Sequence, residues 1–565
     1  AAAADHDQSA AGVRSDCGGG PGDVGQPHPG TATPLGRCQV ETEVFYAIAF
    51  RRAGFGRADI HSLIYRHRVR RDYDAAELFS QYLRGGGFSG SGFTRGGETV
   101  VARTNSTVQT LLFSFTSSVV GLDSLTISNG YSNATTYGQG VAFLSACTSS
   151  VQNCTFVKNG NGNLTDREVY GGALGQQQGY LSVDNCTFRQ NALHDNNSSN
   201  VRPVGGALGA YAARVRIRHS SFDRNYTQHV HARTTGGGAI GLKSCPVVDI
   251  DHCTFTTNYA RTSSGSSNYF ATDQWDNGPY GGTIYISSSA SAVIRDCTFL
   301  GGWNASFGTG RVTWGWGGLL FFYNSNVALT RTIIYGAGES GYTSGGIYSW
   351  AWGSIDVRGG SLHMTNVLHG ASYAGWLLGN NGATLEAVNC TFAGARQHGS
   401  TLRATVAYVQ RDGSAAFKNC IFWNNAEGDL LIGGGAAPAF TYCITETLKP
   451  GIGNSTGDPK FGDSVYFHPM STAGRYSGGW FDGGAWVTND TATSASIDAG
   501  APDDGFGAEP QPNLRRVNLG YDGGTAVASK SIAGTDPVPS EDTLGIYAYE
   551  ATAITDHGAT VSADV

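Results

Sequence analysis

The chain contains no apolar run near the roughly 18–20 residues that a membrane helix needs, so no segment reads as a span. Charge is sparse as well. Only 14% of the 565 residues are charged, and the net charge is −7. That balance is too mild to name a partner, and no basic stripe runs through the chain, which disfavours nucleic acid. The 11 cysteines include no CxxC pair, so the usual zinc spacing is missing. The opening Ala1-Ala2-Ala3-Ala4-Asp5-His6 lacks the charged start and long apolar core of a signal peptide. Because the chain does not begin with Met, this leaves the compartment open.

What the chain does have is a repeat. Val183-Asp184-Asn185-Cys186-Thr187-Phe188 has counterparts ending at Phe156, Phe222, Phe255, Phe299, Phe392 and Phe422. Weaker copies end at Ile127, Ile334 and Leu362, and the last turn lies near Cys443. The pattern alternates inward and outward residues with one bend. Asn, Asp and His at the bend tolerate the left-handed backbone of a sharp corner. Cys154, Cys186, Cys253, Cys297, Cys390 and Cys420 share one inward position and read as small buried hydrophobes. Cys17, Cys38, Cys147 and Cys245 lie off that position, where pairing is left open.

A Gly-Gly pair precedes six successive copies, at Gly171-Gly172, Gly205-Gly206, Gly237-Gly238, Gly281-Gly282, Gly317-Gly318 and Gly345-Gly346. About 16–17 residues separate the second Gly from the last inward residue, whereas the stretch to the next pair ranges from about 11 to about 26. One part of each repeat is fixed and one is elastic. Three short strands per period of about 30, with 82 glycines for tight corners, predict an all-β fold. The expected form is a single-stranded right-handed parallel β-helix, a solenoid of about eleven coils with N-terminal and C-terminal caps.

Gly-Gly-Ala-Leu/Ile alternating with Phe-x-x-Asn (Phe156 to Asn159, Phe188 to Asn191, Phe222 to Asn225, Phe255 to Asn258) resembles the chlamydial polymorphic outer-membrane protein repeat over about 130–300. That resemblance implies a β-helical surface adhesin. It does not extend to that family's membrane barrel, since no apolar-out barrel strands close this chain. A second resemblance covers about 458–530. Asp458-Pro459-Lys460-Phe461, Ser496-Ile497-Asp498-Ala499-Gly500, Glu509-Pro510-Gln511-Pro512-Asn513 and Arg516-Val517-Asn518-Leu519-Gly520 occur in that order, followed by Gly523-Gly524-Thr525. The order is similar to the C-terminal region of large secreted bacterial right-handed β-helix proteins of the pectin-lyase-like kind. Ser496 stands where that family has Cys, and Tyr521-Asp522 alters its Ala-Tyr.

The expected organisation is a disordered lead-in and N-terminal cap over 1–95, coils over 96–446, and a C-terminal cap over 447–565. Within the first part, 41–71 carry a basic cluster that reads as a solvated segment. Asp74 to Leu83 suit a short capping helix, and regular strands start near Thr99. Asn-x-Ser/Thr triplets inside the repeat follow from the corner rather than from glycosylation.

The elastic segments hold the candidate site. Seven of the 10 tryptophans lie in 275–376. Asp273, Trp275, Asp276, Tyr280, Trp303, Arg311, Trp314, Trp316, Trp350 and Trp352 are the candidate substrate-binding residues. Tryptophan faces stack on sugar rings, and carboxylates fix hydroxyls. The bland alternative is loop-to-wall packing. Hydrolysis would need two convergent carboxylates. Lyase chemistry would need a base beside groups that neutralise a sugar acid, often Ca²⁺. Asp273, Asp276, Arg311 and Glu339 are available, but no ordered catalytic motif is present, and His398 and Asp503-Asp504 are isolated. The expectation is a secreted or cell-surface monomer that binds polysaccharide or a surface glycan without chemistry or cofactor. The alternative is a polysaccharide lyase, with Ca²⁺, or a glycoside hydrolase.

Overall fold

A computed structural model describes residues 113–117, 119–132, 142–161, 168–195, 202–229, 235–264, 279–308, 314–336, 350–352, 354–372, 376–396, 405–410, 412–425, 430–433, 436–480 and 483–532. It also describes short strands at 42–47, 64–69, 80–84, 88–89, 94–95, 99–102, 554–555 and 558–559. The described residues are all-β and contain no helix. One sheet holds 30 strands and two more hold six each. Within them, pairing is parallel from each repeat to the next.

The repeat sets the register. Phe156 pairs with Phe188, Phe188 with Phe222, Phe222 with Phe255 and Phe255 with Phe299. The column continues through Ile334, His369, Phe392 and Phe422. The spacing varies from 23 residues (His369 to Phe392) to 44 (Phe255 to Phe299), and the register still holds because the elastic segments absorb the difference. Neighbouring rings lie nearly parallel, with centroids 4.8 Å apart for Phe156–Phe188 and for Phe188–Phe222. That is the strand spacing itself. Two further buried columns line the interior. One runs Val151, Val183, Ile217, Ile250, Ile294, Leu329, Met364, Ala387 and Phe417. The other runs Leu174, Leu208, Ile240, Ile284, Leu320 and Ile355.

The corners are left-handed where the sequence expects them. Asn153, Asn185, His219, His252, Asp296, Asn389 and Asn419 all have φ between 45° and 53°, whereas the copy expected to end at Leu362 ends instead at His369, seven residues on, with its left-handed corner at Asn366. Gly205 shows why the Gly pairs are needed: its φ is +79°, and a Cβ on its neighbour Gly206 would sit 2.1 Å from the carbonyl oxygen of Gly238. All nine described cysteines are buried free thiols. Six hold the expected inward position, and Cys147 and Cys245 are unpaired. Burial drives the thiol of Cys245 up to about 11, so it stays protonated and inert. Cys17 and Cys38 lie outside the described residues.

The asparagine of Phe-x-x-Asn has its own task. Asn159, Asn191, Asn225 and Asn258 point inward and form a ladder, each Nδ2 donating 3.0 Å to the Oδ1 of the next. Each Nδ2 also donates to a backbone carbonyl of the preceding repeat, as Asn191 does to Phe156 at 2.9 Å. Each Oδ1 also accepts a backbone N–H, as Asn225 does from Asn191 at 2.9 Å. The amides of this ladder are thereby satisfied.

One expectation for the first part of the chain is corrected. Ser80–Arg84 is a strand, not the end of a capping helix, and it pairs in parallel with Val119–Asp123. An open strand edge leaves N–H and C=O groups that another strand satisfies and a helix does not. Within the basic cluster, Ile64–Val69 is a regular strand that pairs antiparallel with Thr42–Ala47. Residues 1–41 and 70–79 lie outside the described residues.

At the far end the stack runs to Ser455, which bridges Ile444. The following segment lies along the flank of the last repeats as well as beyond them. Phe467 and Tyr521 pack on the outward residues Ile333, Leu368 and Ala393, and Leu519 packs on Ile421 and Ile444. The corner amides hold it there. Asn366 Nδ2 donates to the carbonyls of Tyr521 and Gly523 at 2.9 and 2.7 Å, and Asn389 donates to Gly523 at 3.1 Å. Asp504, isolated in the sequence, accepts from Asn419 at 2.7 Å and pairs with Lys418.

The ladder makes a contrast between two asparagines one corner apart. Asn191→Ala leaves several buried groups without partners, each costing about 1–3 kcal/mol. Asn185→Ala, on the exposed corner, loses one surface contact and adds about 1–2 kcal/mol of left-handed strain. Chemical denaturation should therefore show the Asn191 variant to be clearly the less stable. Equal loss in both would mean that the inward amides carry no special weight.

Candidate functional site

The structure gathers part of the sequence-derived site. Trp314–Trp316 pairs residue for residue with Trp350–Trp352, setting Trp314 beside Trp350 and Trp316 beside Trp352. Pro279–Tyr280 enters the same sheet with Tyr280 beside Trp316. Four tryptophans thus hold alternate positions on two neighbouring strands, with only Gly315 and Ala351 between them. Tyr280 itself is buried against Phe321, with centroids 4.6 Å apart, and against Tyr285. Its ring packs the wall and offers no face to a ligand.

Trp303 lies on a different sheet. It stacks on Tyr259 at 4.4 Å, and Tyr259 stacks on Tyr226 at 4.9 Å, with the ring planes nearly parallel. The Arg261 guanidinium lies 5.6–5.7 Å from the two tyrosine centroids. The rings use their faces on one another along the stack, so Trp303 is held by packing. Asp273, Trp275, Asp276, Arg311 and Glu339 lie outside the described residues.

Sequence reasoning missed a wall of charge on the outer side of the main sheet. Asp184, Arg218, Asp251 and Arg295 occupy one register column, with Arg216 and Asp249 in the next. Arg295 binds Asp249 at 2.9 Å and Asp251 at 3.0 Å. His219 meets Asp184 at 2.9 Å, His252 meets Asp251 at 2.7 Å, and Arg331 grips Asp296 with two nitrogens. Burial works against the Asp251 charge, but hydrogen bonds from His252 and Arg295 outweigh it and hold the carboxyl below its usual range. The signal was present in the sequence as alternating Asp and Arg one period apart.

Asp251, His252 and Asp296 bring ligand atoms within 4.8 Å of one another. Both carboxylates already face guanidinium groups, so a cation would have to displace Arg295 and Arg331. The donor set fits an ion-pair network better than a metal centre. The same pairing deprives these carboxylates of the free acid and base roles that glycosidic chemistry requires.

His369 takes a phenylalanine position in the inward column and is fully buried. The hydroxyls of Ser354 and Ser372 meet its two ring nitrogens. Burial drives its pKa down to about 3, so the ring is neutral. This serine–histidine contact faces the packed interior, away from any substrate.

The docked C-terminal segment has a second buried polar centre. His468 contacts Asp522 at 3.0 Å through Nδ1 and the Gly478 carbonyl at 2.8 Å through Nε2. Tyr521, which with Asp522 marks the departure from the resembling family, lies over the His468 ring. Ser496, the other departure, is buried and bonded to Ser494 at 2.7 Å. Glu509 accepts the N–H groups of Gly524 and Asn518 at 2.7 and 2.8 Å, clamping the loop that meets Asn366 and Asn389. Burial drives the Glu509 carboxyl up to about 8, against those two donors. For His468, burial acts downward, but Asp522, the Gly478 carbonyl and Asp463 together raise its pKa.

Both groups bind protons more tightly folded than unfolded, so both make stability fall as pH rises. For Glu509 the fall spans from about 4.5 to about 8. Glu509→Gln keeps the acceptor oxygen and removes the charge. Its melting temperature should exceed the parent's at about pH 9 and match it at about pH 4. A variant that melts below the parent at the higher pH would show that the carboxylate charge supports the clamp.

Comparison of the chain with protein-family models, with curated proteins and with solved structures found no match.

Proposed function

We propose that the chain is a right-handed parallel β-helix of about eleven coils that acts as a secreted or cell-surface binding module for polysaccharide, without chemistry of its own. Parallel strands of one sheet are joined right-handedly in about 98% of known crossovers, which supports the hand. Roughly eleven coils at about 4.8 Å give a rod on the order of 50 Å long. The resemblances to surface adhesin repeats and to secreted bacterial β-helix proteins support the location.

The observation that carries the binding reading is the register of Trp314 with Trp350 and Trp316 with Trp352. Aromatic groups one strand apart suit successive sugar rings of a chain lying across the strands. The non-catalytic reading draws support from the ion pairs that occupy Asp249, Asp251 and Asp296, and from the interior position of His369.

A glycan array, followed by product analysis with and without Ca²⁺, tests both halves. The expected result is binding without new reducing or unsaturated ends. The double variant Trp316→Ala/Trp352→Ala should lose about 2 kcal/mol, roughly 30-fold in affinity. Cleavage products would replace this reading with the enzymatic one, and absence of any bound glycan would leave a spacer.

A further inference from the structure

One outward column changes character along the stack. Thr126, Thr155, Thr187, Ser221, Thr254 and Thr298 are direct register partners across six consecutive repeats. Every one is half-buried or exposed. Beyond Thr298 the same column reads Ile333, Leu368, Thr391 and Ile421, and all four are buried beneath the C-terminal segment. Where the chain covers this column with its own polypeptide, the column is largely apolar. Where it does not, the column is hydroxyl throughout.

The inward neighbour does not account for this choice, since a bulky ring or Ile fills that position on both sides of the change: Ile127 and five Phe before it, then Ile334, His369, Phe392 and Phe422. Hydroxyl side chains are also not required for pairing, because the backbone ladder is complete without them. Within the column, Ser221 Oγ donates to Thr187 Oγ1 at 3.2 Å, so the hydroxyls of these two neighbouring repeats meet. Thr391, the one hydroxyl in the covered part, shows how the column engages an extended chain. Its Oγ1 accepts the backbone N–H of Tyr521 at 3.0 Å.

Several of the bordering charged groups are paired within the protein. His219 pairs with Asp184, His252 with Asp251, Arg224 with Asp223 and Arg331 with Asp296. The flank therefore offers a regular line of donors and acceptors with no run of one charge. A polyanion would find no basic track, and a polypeptide of the kind already docked would find no apolar one.

We propose that this hydroxyl column is a track for an uncharged, linear polysaccharide lying parallel to the long axis of the stack across residues 126–298. The proposal rests on the polysaccharide-binding reading above and gives it a second, more extended contact face. Each hydroxyl both donates and accepts, as do the hydroxyls of such a polymer. A repeating partner can meet a column repeating at about 4.8 Å at several points, which supplies affinity from individually weak bonds.

The test uses the full chain and the variant Thr187→Val/Ser221→Ala/Thr254→Val. These side chains point outward, so the variant should melt with the parent. Isothermal titration with cellohexaose, laminarihexaose and polygalacturonate is then compared. The expected result is that the parent binds at least one uncharged oligosaccharide, with affinity unchanged from about 0.1 to about 1 M NaCl. The triple variant should bind roughly tenfold or more weakly. Undiminished binding by the triple variant, with loss in Trp316→Ala/Trp352→Ala, overturns the track and leaves the binding reading intact. Binding to polygalacturonate alone, abolished by salt, overturns the uncharged partner. A parent that binds no glycan on the array removes the reading beneath both.

Discussion

Everything in this fold depends on one constraint: each strand must satisfy its backbone on the same residue of the strand before it. Parallel in-register pairing leaves no freedom in which side chain meets which. Like therefore stacks on like, and a side chain that tolerates its own copy about 4.8 Å away is selected at each position. Phenylalanine does so by offset stacking, the small thiol by fitting between larger neighbours, and asparagine by donating and accepting along one line. The asparagine ladder is the most demanding of the three, because a single break leaves buried polar groups on both sides of it.

The same constraint forces variation to the outside and into the elastic segments. Repeats of 23 and 44 residues lie next to repeats of ordinary length without loss of register. Outward columns can then differ from one end of the stack to the other. Asp and Arg alternate where the wall is open, hydroxyls fill the neighbouring column, and Ile333, Leu368 and Ile421 appear where the C-terminal segment lies down. The corner asparagines change role with them. Asn185 contacts its neighbour Asn153 at the surface, whereas Asn366, Asn389 and Asn419 hold the docked segment.

The phase of the repeat was legible in the sequence because an inward Phe, an inward Cys and a left-handed corner cannot exchange places. The copies with Phe and Cys lie where the pattern put them, whereas the weak copy read as ending at Leu362, with neither residue to fix it, ends at His369. The inward asparagine was visible as a motif, but its purpose was not, since a ladder exists only between repeats. Asp74 to Leu83 misled because an amphipathic pattern says nothing about an open strand edge waiting nearby. Tyr280 and Trp303 pack against other rings, and in sequence aromatic crowding looks the same whether rings face a ligand or one another. The charged wall escaped notice because its partners lie one period apart, at 31 to 46 residues. The flank docking of the C-terminal segment was hidden for a similar reason: its contacts span more than 80 residues, and some more than 150.

The most direct test of the account is the excision of one repeat. Phe188 and Phe222 are register partners, so removing residues 188–221 joins Thr187 to Phe222 and leaves every downstream residue on its proper face. Removing 188–220 instead puts Ser221 at the inward position and reverses the junction. Circular dichroism and thermal melting of the two deletions decide the matter. The account predicts a folded, cooperatively melting protein from the first and a severely destabilised one from the second. Equal behaviour of the two, folded or unfolded, would contradict in-register stacking as the basis of the fold.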